Sequence, residues 1–434
     1  MGHFQPLSKA AWNWRGQVAA MLSLLTIVVL SSPPPPLRLG DLLAEARAKS
    51  AQLRAASARA MAASESARAA GALDDPRFLV QLWNEPVDFS YVPVMFQLSQ
   101  TLPLGGRLNY KHTAAEADAQ AASAETAARV QDVELDVALA YFDLYQAQRT
   151  EGVNVGLKET LETLAGATAA RVRSGMGQQA DLLKAQAAVL EFEEGVVTAA
   201  QEAQSARARL QALLQRPDEV LGETTTPHVL ADLPSQAALR NRAVDSRPEL
   251  KALVAKSQEA TAEVRMAEAE RVPDINVTGA YMHTFGGVSP SNFIFAGLEF
   301  TLPVWGNKND GRIGAARAFG EAVSSEEAAL QAGVSAQVSE AFARVTAEER
   351  IVSLHHRIIP LMTAALESGR ADYSSGRGDF LSVLDSLREL RRHELELVMH
   401  LAAYAKALAQ LQRAVGEDVG LLAAAQGGTD NAHD

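Results

Sequence analysis

Histidine is the residue type in this chain best suited to metal binding, because a neutral imidazole nitrogen is a common metal ligand. His355 and His356 are adjacent, so they point to different sides of a helix, whereas His393 and His400 are seven residues apart and share one face. No acidic residue or cysteine evidently completes a ligand set around them, and the chain has no HExxH pattern. We therefore predict packed or solvated histidines and no metal site.

Catalytic chemistry has little support in the sequence. The Ser-Gly pairs at 174–175 and 375–376 lack the strand-to-helix context of a serine nucleophile, and no glycine-rich phosphate loop follows a strand. The 434 residues include no cysteine, which excludes thiolate chemistry, disulfides and lipid attachment through a cysteine. A net charge of −12 argues against a nucleic-acid partner. We predict no catalytic residue, no cofactor and no enzyme activity.

The first residues have the features of an export signal. Lys9 and Arg15 precede an apolar run at 18–30, which two serines and four prolines follow. The 13 residues of this run suit the core of a signal peptide and are too few for a membrane-spanning helix. We predict a cleaved signal peptide at 1–32.

The remaining chain contains two similar units. TLPLGGR at 101–107 resembles TLPVWGN at 301–307, and SGMGQQADLLKAQ at 174–186 resembles SGRGDFLSVLDSL at 375–387. The spacing is 200 residues for the first pair and 201 for the second, as a tandem duplication requires. The predicted division is a first repeat at 33–216, a linker at 217–235, a second repeat at 236–416 and a polar tail at 417–434.

Each repeat combines strands with unusually long helices. Small or apolar residues recur at alternating three- and four-residue spacings between Val189 and Leu213, as in a coiled coil. A helix over 107–173 would be about 100 Å long, so we expect it to form an antiparallel hairpin with the next helix. The predicted elements are helical openings at 40–72 and 236–271, strands at about 77–102 and 275–302, and long helices at about 107–215 and 312–416.

The strand segments alternate apolar and polar side chains over about ten residues, which is typical of transmembrane β-strands. An ordinary half-buried hairpin packed on helices is the alternative. Four strands are too few to close a barrel, so strands in a membrane would require several chains to share one. The smallest symmetric solutions are two chains with eight strands and three chains with twelve.

These motifs together resemble the TolC-type outer-membrane efflux family. The resemblance implies a mainly α fold with a membrane β-barrel portion, in which three identical chains each give four strands to one twelve-stranded barrel. The coiled-coil hairpins of such a homotrimer form a hollow α-barrel that extends far into the periplasm. The resemblance also implies a passive export duct for small molecules or metal ions, located in the outer membrane and surrounded by its lipid. Its partners would be a periplasmic adaptor (a membrane fusion protein) and an inner-membrane pump of the RND type.

The sequence leaves the cargo and two alternative functions open. The segment at 74–108 resembles the heavy-metal branch of the family, except that GGR stands at 105–107 where that branch has a PGK-like run. A drug export duct and the duct of a type I protein secretion system would have the same fold. An exported periplasmic coiled-coil scaffold or adaptor without a barrel would differ in fold.

The resemblance assigns roles to two glycine-containing turns between the long helices and to the residues just behind them. An accompanying prediction is a latch in which Arg173 or Arg377 pairs with Asp181. The predicted adaptor-docking residues are Ser174, Gly175, Met176, Gly177, Gln178, Ser375, Gly376, Arg377, Gly378 and Asp379. The predicted periplasmic gate consists of Asp181, Ser382 and Asp385.

Overall fold

The chain is mainly helical, as predicted. No helix in the described part is long and apolar enough to cross a membrane. The predicted signal peptide at 1–32 lies outside the described residues. The computed structural model describes residues 35–82, 92–217, 220–230, 232–285 and 292–426.

The two halves of the chain have the same order of elements, namely two helices, two strands and two long helices. The first half contains α1 (Leu39–Lys49), α2 (Ala51–Ala70), β1 (Arg77–Leu82), β2 (Val92–Leu102), α3 (Arg107–Arg173) and α4 (Gln179–Leu214). The second half contains α5 (Gln236–Ser246), α6 (Pro248–Ala269), β3 (Asp274–Phe285), β4 (Asn292–Thr301), α7 (Gly306–Ser374) and α8 (Phe380–Val415), and α9 (Leu421–Ala425) follows.

Each predicted helical opening is divided into two helices. Ser50 separates α1 from α2, and its side chain accepts a hydrogen bond from the backbone N–H of Leu53 at 3.4 Å. Pro248 begins α6, because a proline has no N–H to donate and fits the first position of a helix. The hydrophobic spacing continues across both breaks, so the pattern alone predicted single helices. A smaller difference is that α7 begins at Gly306, six residues before its predicted start.

The long helices form two antiparallel hairpins, α3 with α4 and α7 with α8. The first helix of each hairpin has 67 or 69 residues and the second has 36, so the second covers only the part near the turn. The shorter helices cover the other part: α2 packs on α3, and α6 packs on both α3 and α7. His112, near the start of α3, is 2.9 Å from the carbonyl oxygen of Ala67 at the end of α2.

The main hydrophobic core lies where α1, α5 and α9 meet the middle of the hairpins. Tyr141 is fully buried there, and its hydroxyl donates to the carbonyl oxygen of Leu37 at 3.0 Å. The hydroxyl of Tyr404 accepts a hydrogen bond from the backbone of Leu230 at 3.0 Å. Residues 421–425 correct the prediction of a polar tail, because they form a helix whose side chains Leu421 and Ala424 are buried in this core.

The four strands form one antiparallel sheet in the order β1-β2-β3-β4, so β1 and β4 are its edges among the described residues. The pairing of Phe96 with Tyr281, and of Tyr281 with Ile294, places alternate residues of all strands on one face. The opposite face is mixed and includes a hydrogen bond from Asn276 to Glu299 at 3.2 Å. The exposed residues of the apolar face are Phe78, Val80, Leu82, Phe96, Leu98, Val277, Tyr281, Ile294, Leu298 and Phe300.

Candidate functional site

The first predicted docking turn is a compact helix C-terminus. The N–H of Met176 donates to the carbonyl of Arg171 at 3.0 Å, and the N–H of Gly175 donates to that of Val172 at 3.1 Å. This bond pair is a Schellman motif, and Gly175 has the positive φ of 73° that the motif needs. The residues exposed at this turn are Ser174, Gly175, Met176 and Gln178, whereas Gly177 is half-buried.

The second turn repeats the same hydrogen-bond pattern with different side chains. The N–H of Arg377 donates to the carbonyl of Asp372 at 2.9 Å, and that of Gly376, with a φ of 80°, donates to Tyr373 at 3.1 Å. A Cβ at Gly378 would lie 2.8 Å from the backbone nitrogen of Tyr373, so only glycine fits there. The residues exposed at this turn are Ser375, Gly376, Arg377 and Asp379, whereas Gly378 is half-buried.

The two turns lie side by side at the same end of the hairpins. The guanidinium of Arg171 donates to the carbonyl oxygen of Tyr373 and lies 4.6 Å from the centre of its ring. The Tyr373 hydroxyl donates to Thr168 at 3.1 Å, and its ring meets that of Phe380 edge-on at 6.0 Å. Tyr373 therefore joins the end of α3 to the start of α8, next to both of the predicted docking turns.

The predicted gate residues lie just behind the turns. Asp181 is half-buried in the first turn of α4, while Ser382 and Asp385 are exposed in the first turns of α8 and share one face. The predicted latch is not formed within one chain. Asp181 has no ion pair in the described ranges, and Arg377 pairs instead with Asp372 of its own turn at 3.4 Å. Arg377 and Asp372 belong to the same turn, where the backbone N–H of Arg377 also bonds the carbonyl of Asp372, so their side chains are already close together.

Farther from the turns, a buried polar contact joins the two hairpins. Asn154 of α3 is 2% exposed and accepts a hydrogen bond from the Arg391 side chain of α8 at 2.8 Å. The guanidinium of Arg391 also lies 4.5 Å from the ring centre of Phe192. A Cβ at Gly195 would overlap the same guanidinium, so the glycine makes room for it. Sequence reasoning missed this contact, although a glycine and an asparagine inside coiled-coil helices are a signal of one.

Histidines that are distant in sequence meet between α7 and α8. The ring of His355 is 5.5 Å from those of His393 and His400. Glu396 lies beside His355 and His393, and His400 Nδ1 is 2.7 Å from a carboxylate oxygen of Glu348. The reasoning that no acidic group accompanies these histidines is therefore corrected, because Glu396 is one turn from His393 and the hairpin adds His355.

An ionic junction holds α6 against the hairpins near the sheet-proximal part of the core. Arg413 bonds both Glu249 and Asp132, the latter at 2.8 Å, and the buried Arg247 donates to Glu249 at 3.2 Å. Burial by itself would raise the pKa of Glu249, but the hydrogen bonds from Arg247 and Arg413 hold that pKa at about 2. The carboxylate therefore stays charged between the two arginines.

Comparison with known protein families shows which family this chain belongs to. A sequence model described as outer membrane efflux protein matches residues 42–215 and 239–417, which together make up most of the chain. The chain belongs to the outer membrane efflux protein family. Solved structures similar to it include proteins described as outer membrane channels.

Solved structures confirm the TolC-type fold of this outer membrane efflux protein. CusC has a TM-score of 0.76 and 17% identity, over 88% of this chain and 92% of that chain. VceC from Vibrio cholerae has a TM-score of 0.72 and 18% identity, over 88% of this chain and 96% of that chain. The open MtrE channel of Neisseria gonorrhoeae has a TM-score of 0.74 and 20% identity, over 88% of this chain and 89% of that chain. A search of curated protein sequences gives no match.

Proposed function

We propose that this outer membrane efflux protein is the exit duct of a tripartite efflux system. In this proposal it is a homotrimer in the outer membrane with a long periplasmic extension. A periplasmic adaptor connects it to an inner-membrane pump of the RND type, which supplies the energy. The duct itself is passive and carries small molecules or metal ions. No covalent chemistry is required of it, so it is not an enzyme.

The sheet is the observation that carries the proposal. One of its faces exposes apolar side chains from all four strands, including Leu298, which is 65% exposed. Its edge strands β1 and β4 each have one neighbour among the described strands. Unpaired edges are not tolerated in lipid, so copies of this sheet would have to join edge to edge around a closed barrel. Three copies would give twelve strands, with the apolar face toward outer-membrane lipid.

The hairpins would provide the periplasmic part of the duct. Because α3 starts directly after β2 and α7 directly after β4, the sheet and the two turns lie at opposite ends of helices about 100 Å long. In the trimer these hairpins would surround a hollow α-barrel. The turns would dock the adaptor, because they combine exposed backbone with small residues and place few bulky side chains in the way.

The residues behind the turns would form the periplasmic gate. In a trimer, Asp181, Ser382 and Asp385 would each occur three times around the axis. A ring of carboxylates attracts cations and repels its own members, so such a gate needs pairing or a change of spacing to close. Ser382 would weaken the acidic character of this ring. The absence of a latch within one chain is consistent with pairing between neighbouring chains.

The first test is the mass of the detergent-extracted complex, compared with and without heating before electrophoresis. We expect a species of about three protomer masses that dissociates on heating, as a shared barrel of hydrogen-bonded strands predicts. A monomer released with the soluble periplasmic fraction would contradict the duct and favour the coiled-coil scaffold.

A pair of lysine substitutions tests the orientation of the sheet. Leu298→Lys places a charge on the apolar face, where a lysine near the membrane midplane costs about 2–4 kcal/mol, so we expect much less heat-modifiable complex. Thr278→Lys, on the opposite face of the paired strand, is the matched control and should assemble normally. Equal assembly of both variants would contradict a lipid-facing apolar side.

A further inference from the structure

The cluster between α7 and α8 has the donor atoms of a metal site. Two imidazole rings and one carboxylate converge, and one ligand atom from each of His355, His393 and Glu396 lies within 4.8 Å of the others. Ligand atoms around a tetrahedral zinc ion are about 3.4 Å apart, given metal–ligand bonds near 2.1 Å. Small side-chain rotations would therefore close these three groups around an ion.

The two carboxylate oxygens of Glu396 have different neighbours. Oε2 of Glu396 lies 3.2 Å from Nδ1 of His393 and 3.9 Å from Nε2 of His355, so it points into the cluster. Oε1 lies 3.7 Å from the guanidinium of Arg392 on the outer side. The arginine, which also bonds Glu389, thus lies near one carboxylate oxygen, and the other oxygen faces the histidines. Carboxylate ligands of metals are commonly held by such an outer partner.

His355 is a buried histidine that lies close to the other two groups of the cluster. His355 is 7% exposed, and its Nδ1 is buried without a hydrogen bond to any residue in the described ranges. Nε2, the ring nitrogen of His355 that lies 3.9 Å from Glu396, is the candidate ligand atom, so the unsatisfied Nδ1 shows only that no hydrogen bond holds the ring at that nitrogen. A neutral imidazole nitrogen is a common metal ligand.

Two further polar residues, His400 and Glu348, lie next to the proposed ligands. The ring of His400 stacks on His355 at an angle of 21° between the ring planes, and Glu348 holds His400 through its Nδ1. A carboxylate bonded to one ring nitrogen fixes the orientation of that ring. His400, itself held by Glu348, therefore packs against the His355 ring.

We propose that His355, His393 and Glu396 bind a divalent transition-metal ion of the zinc type, which links α7 to α8. Two imidazoles and a carboxylate favour Zn²⁺, Co²⁺ or Ni²⁺ over the hard ions Mg²⁺ and Ca²⁺. His355 comes from α7 and the other two ligands from α8, so the bound ion ties the two helices together. The site lies along the hairpin wall, away from the turns and the sheet, and it does not depend on the proposed export function.

Absorption by Co²⁺ is the direct test, since its visible spectrum reports coordination by nitrogen and oxygen ligands. The full-length protein is purified in detergent with a tag that contains no histidine, titrated with Co²⁺ and then competed with Zn²⁺. We expect one cobalt per chain with a tetrahedral or five-coordinate spectrum that Zn²⁺ abolishes. His393→Ala and Glu396→Gln should each weaken cobalt binding by at least about tenfold. The matched control is His356→Ala, which removes an exposed histidine adjacent to the site and should bind normally.

Thermal unfolding separates loss of the site from loss of the fold. Because an ion that binds only the folded chain stabilises it, Zn²⁺ should raise the Tm of the wild type and of His356→Ala by several degrees. Glu396→Gln is nearly isosteric and should unfold normally without metal but show no such rise. An unchanged wild-type Tm together with no cobalt spectrum would overturn the proposal. An equal loss of binding in His356→Ala would also overturn it, because the ions would then be held at the surface.

Discussion

The two helical hairpins have nearly the same backbone, but a buried residue at corresponding positions makes different side-chain contacts in each. The two glycine-containing turns are 201 residues apart, and with this spacing Asn154 of the first hairpin corresponds to His355 of the second. Asn154 is satisfied by Arg391 from the other hairpin. His355 instead faces His393 and Glu396 of its own hairpin and keeps a nitrogen without a protein partner in the described chain. Asn154 thus joins the two hairpins, whereas His355 lies in the proposed metal site.

The ends of the hairpins differ in the same way. Tyr373 and Phe380 flank the second turn, where the first hairpin has Val172 and Gln179 at the corresponding positions. Tyr373 and Phe380 are buried, and the guanidinium of Arg171 lies over the Tyr373 ring. Val172 is only half-buried. The two turns therefore have the same hydrogen bonds but different side-chain packing, and the aromatic residues of the second hairpin contact both turns.

The largest expected effect comes from removing that support. Tyr373→Ala deletes a buried ring, its hydroxyl bond and its contact with Arg171, and should cost about 3–5 kcal/mol of stability. Val172→Ala at the corresponding position should cost about 1 kcal/mol or less. Unfolding of the detergent-solubilised protein, followed by helical circular dichroism, measures both. Similar losses in the two variants would show that the turns are supported equally.

Acid should weaken the second half through Glu249. The folded pKa of about 2 lies below the ordinary value of 4.5, so the stabilisation is complete above pH 4.5 and is lost as the pH falls toward 2. It amounts to roughly 3 kcal/mol. Gln52 is the second residue of α2, as Glu249 is of α6, and it cannot titrate.

Substitution isolates this contribution. Glu249→Gln should be less stable than the wild type at neutral pH, and the difference should shrink on acidification across that range. Glu65→Gln, which removes an exposed carboxylate from α2, is the matched control and should follow the wild-type curve. A difference that does not change with pH would show that Glu249 contributes by packing and not by charge.

The matching buried positions should respond in opposite directions to the same apolar residue. Asn154→Leu leaves Arg391 without its acceptor and should cost about 1–3 kcal/mol. His355→Leu removes a nitrogen that has no hydrogen bond in the described chain, and without added metal it should be nearly neutral or stabilising. Unfolding in the presence of a chelator compares them. A large loss in His355→Leu would indicate that its ring stacking stabilises the hairpin.

The smallest effect on stability is expected at the exposed charges of the second turn. Arg377→Gln removes an exposed pair with Asp372 and should change stability by less than about 0.5 kcal/mol. If this turn docks the adaptor, the substitution should weaken binding at low salt and lose its effect at high salt. Met176→Gln in the uncharged first turn should have an effect that does not depend on salt. Binding of the purified adaptor at two salt concentrations measures the difference.

Features that repeat along the chain were predicted well. The coiled-coil spacing placed α4, and the alternation in 92–102 and 275–302 placed β2, β3 and β4, because each element shows its period locally. The breaks at Ser50 and Pro248 were missed since they interrupt the backbone without interrupting the spacing. The small α9 was missed because five residues do not reveal a period.

The functional residues also fall into those that the sequence predicted and those that only the structure revealed. The sequence by itself determined the family, the mainly helical class and the position of both turns, since these depend on local periods and on glycines that permit positive φ. Only the tertiary structure decided which polar side chains meet: Arg391 with Asn154, and His355 with His393 and Glu396. Such contacts depend on the register and rotation of one long helix against another. A slide of one helix turn, 5.4 Å, would separate every pair without changing any local pattern.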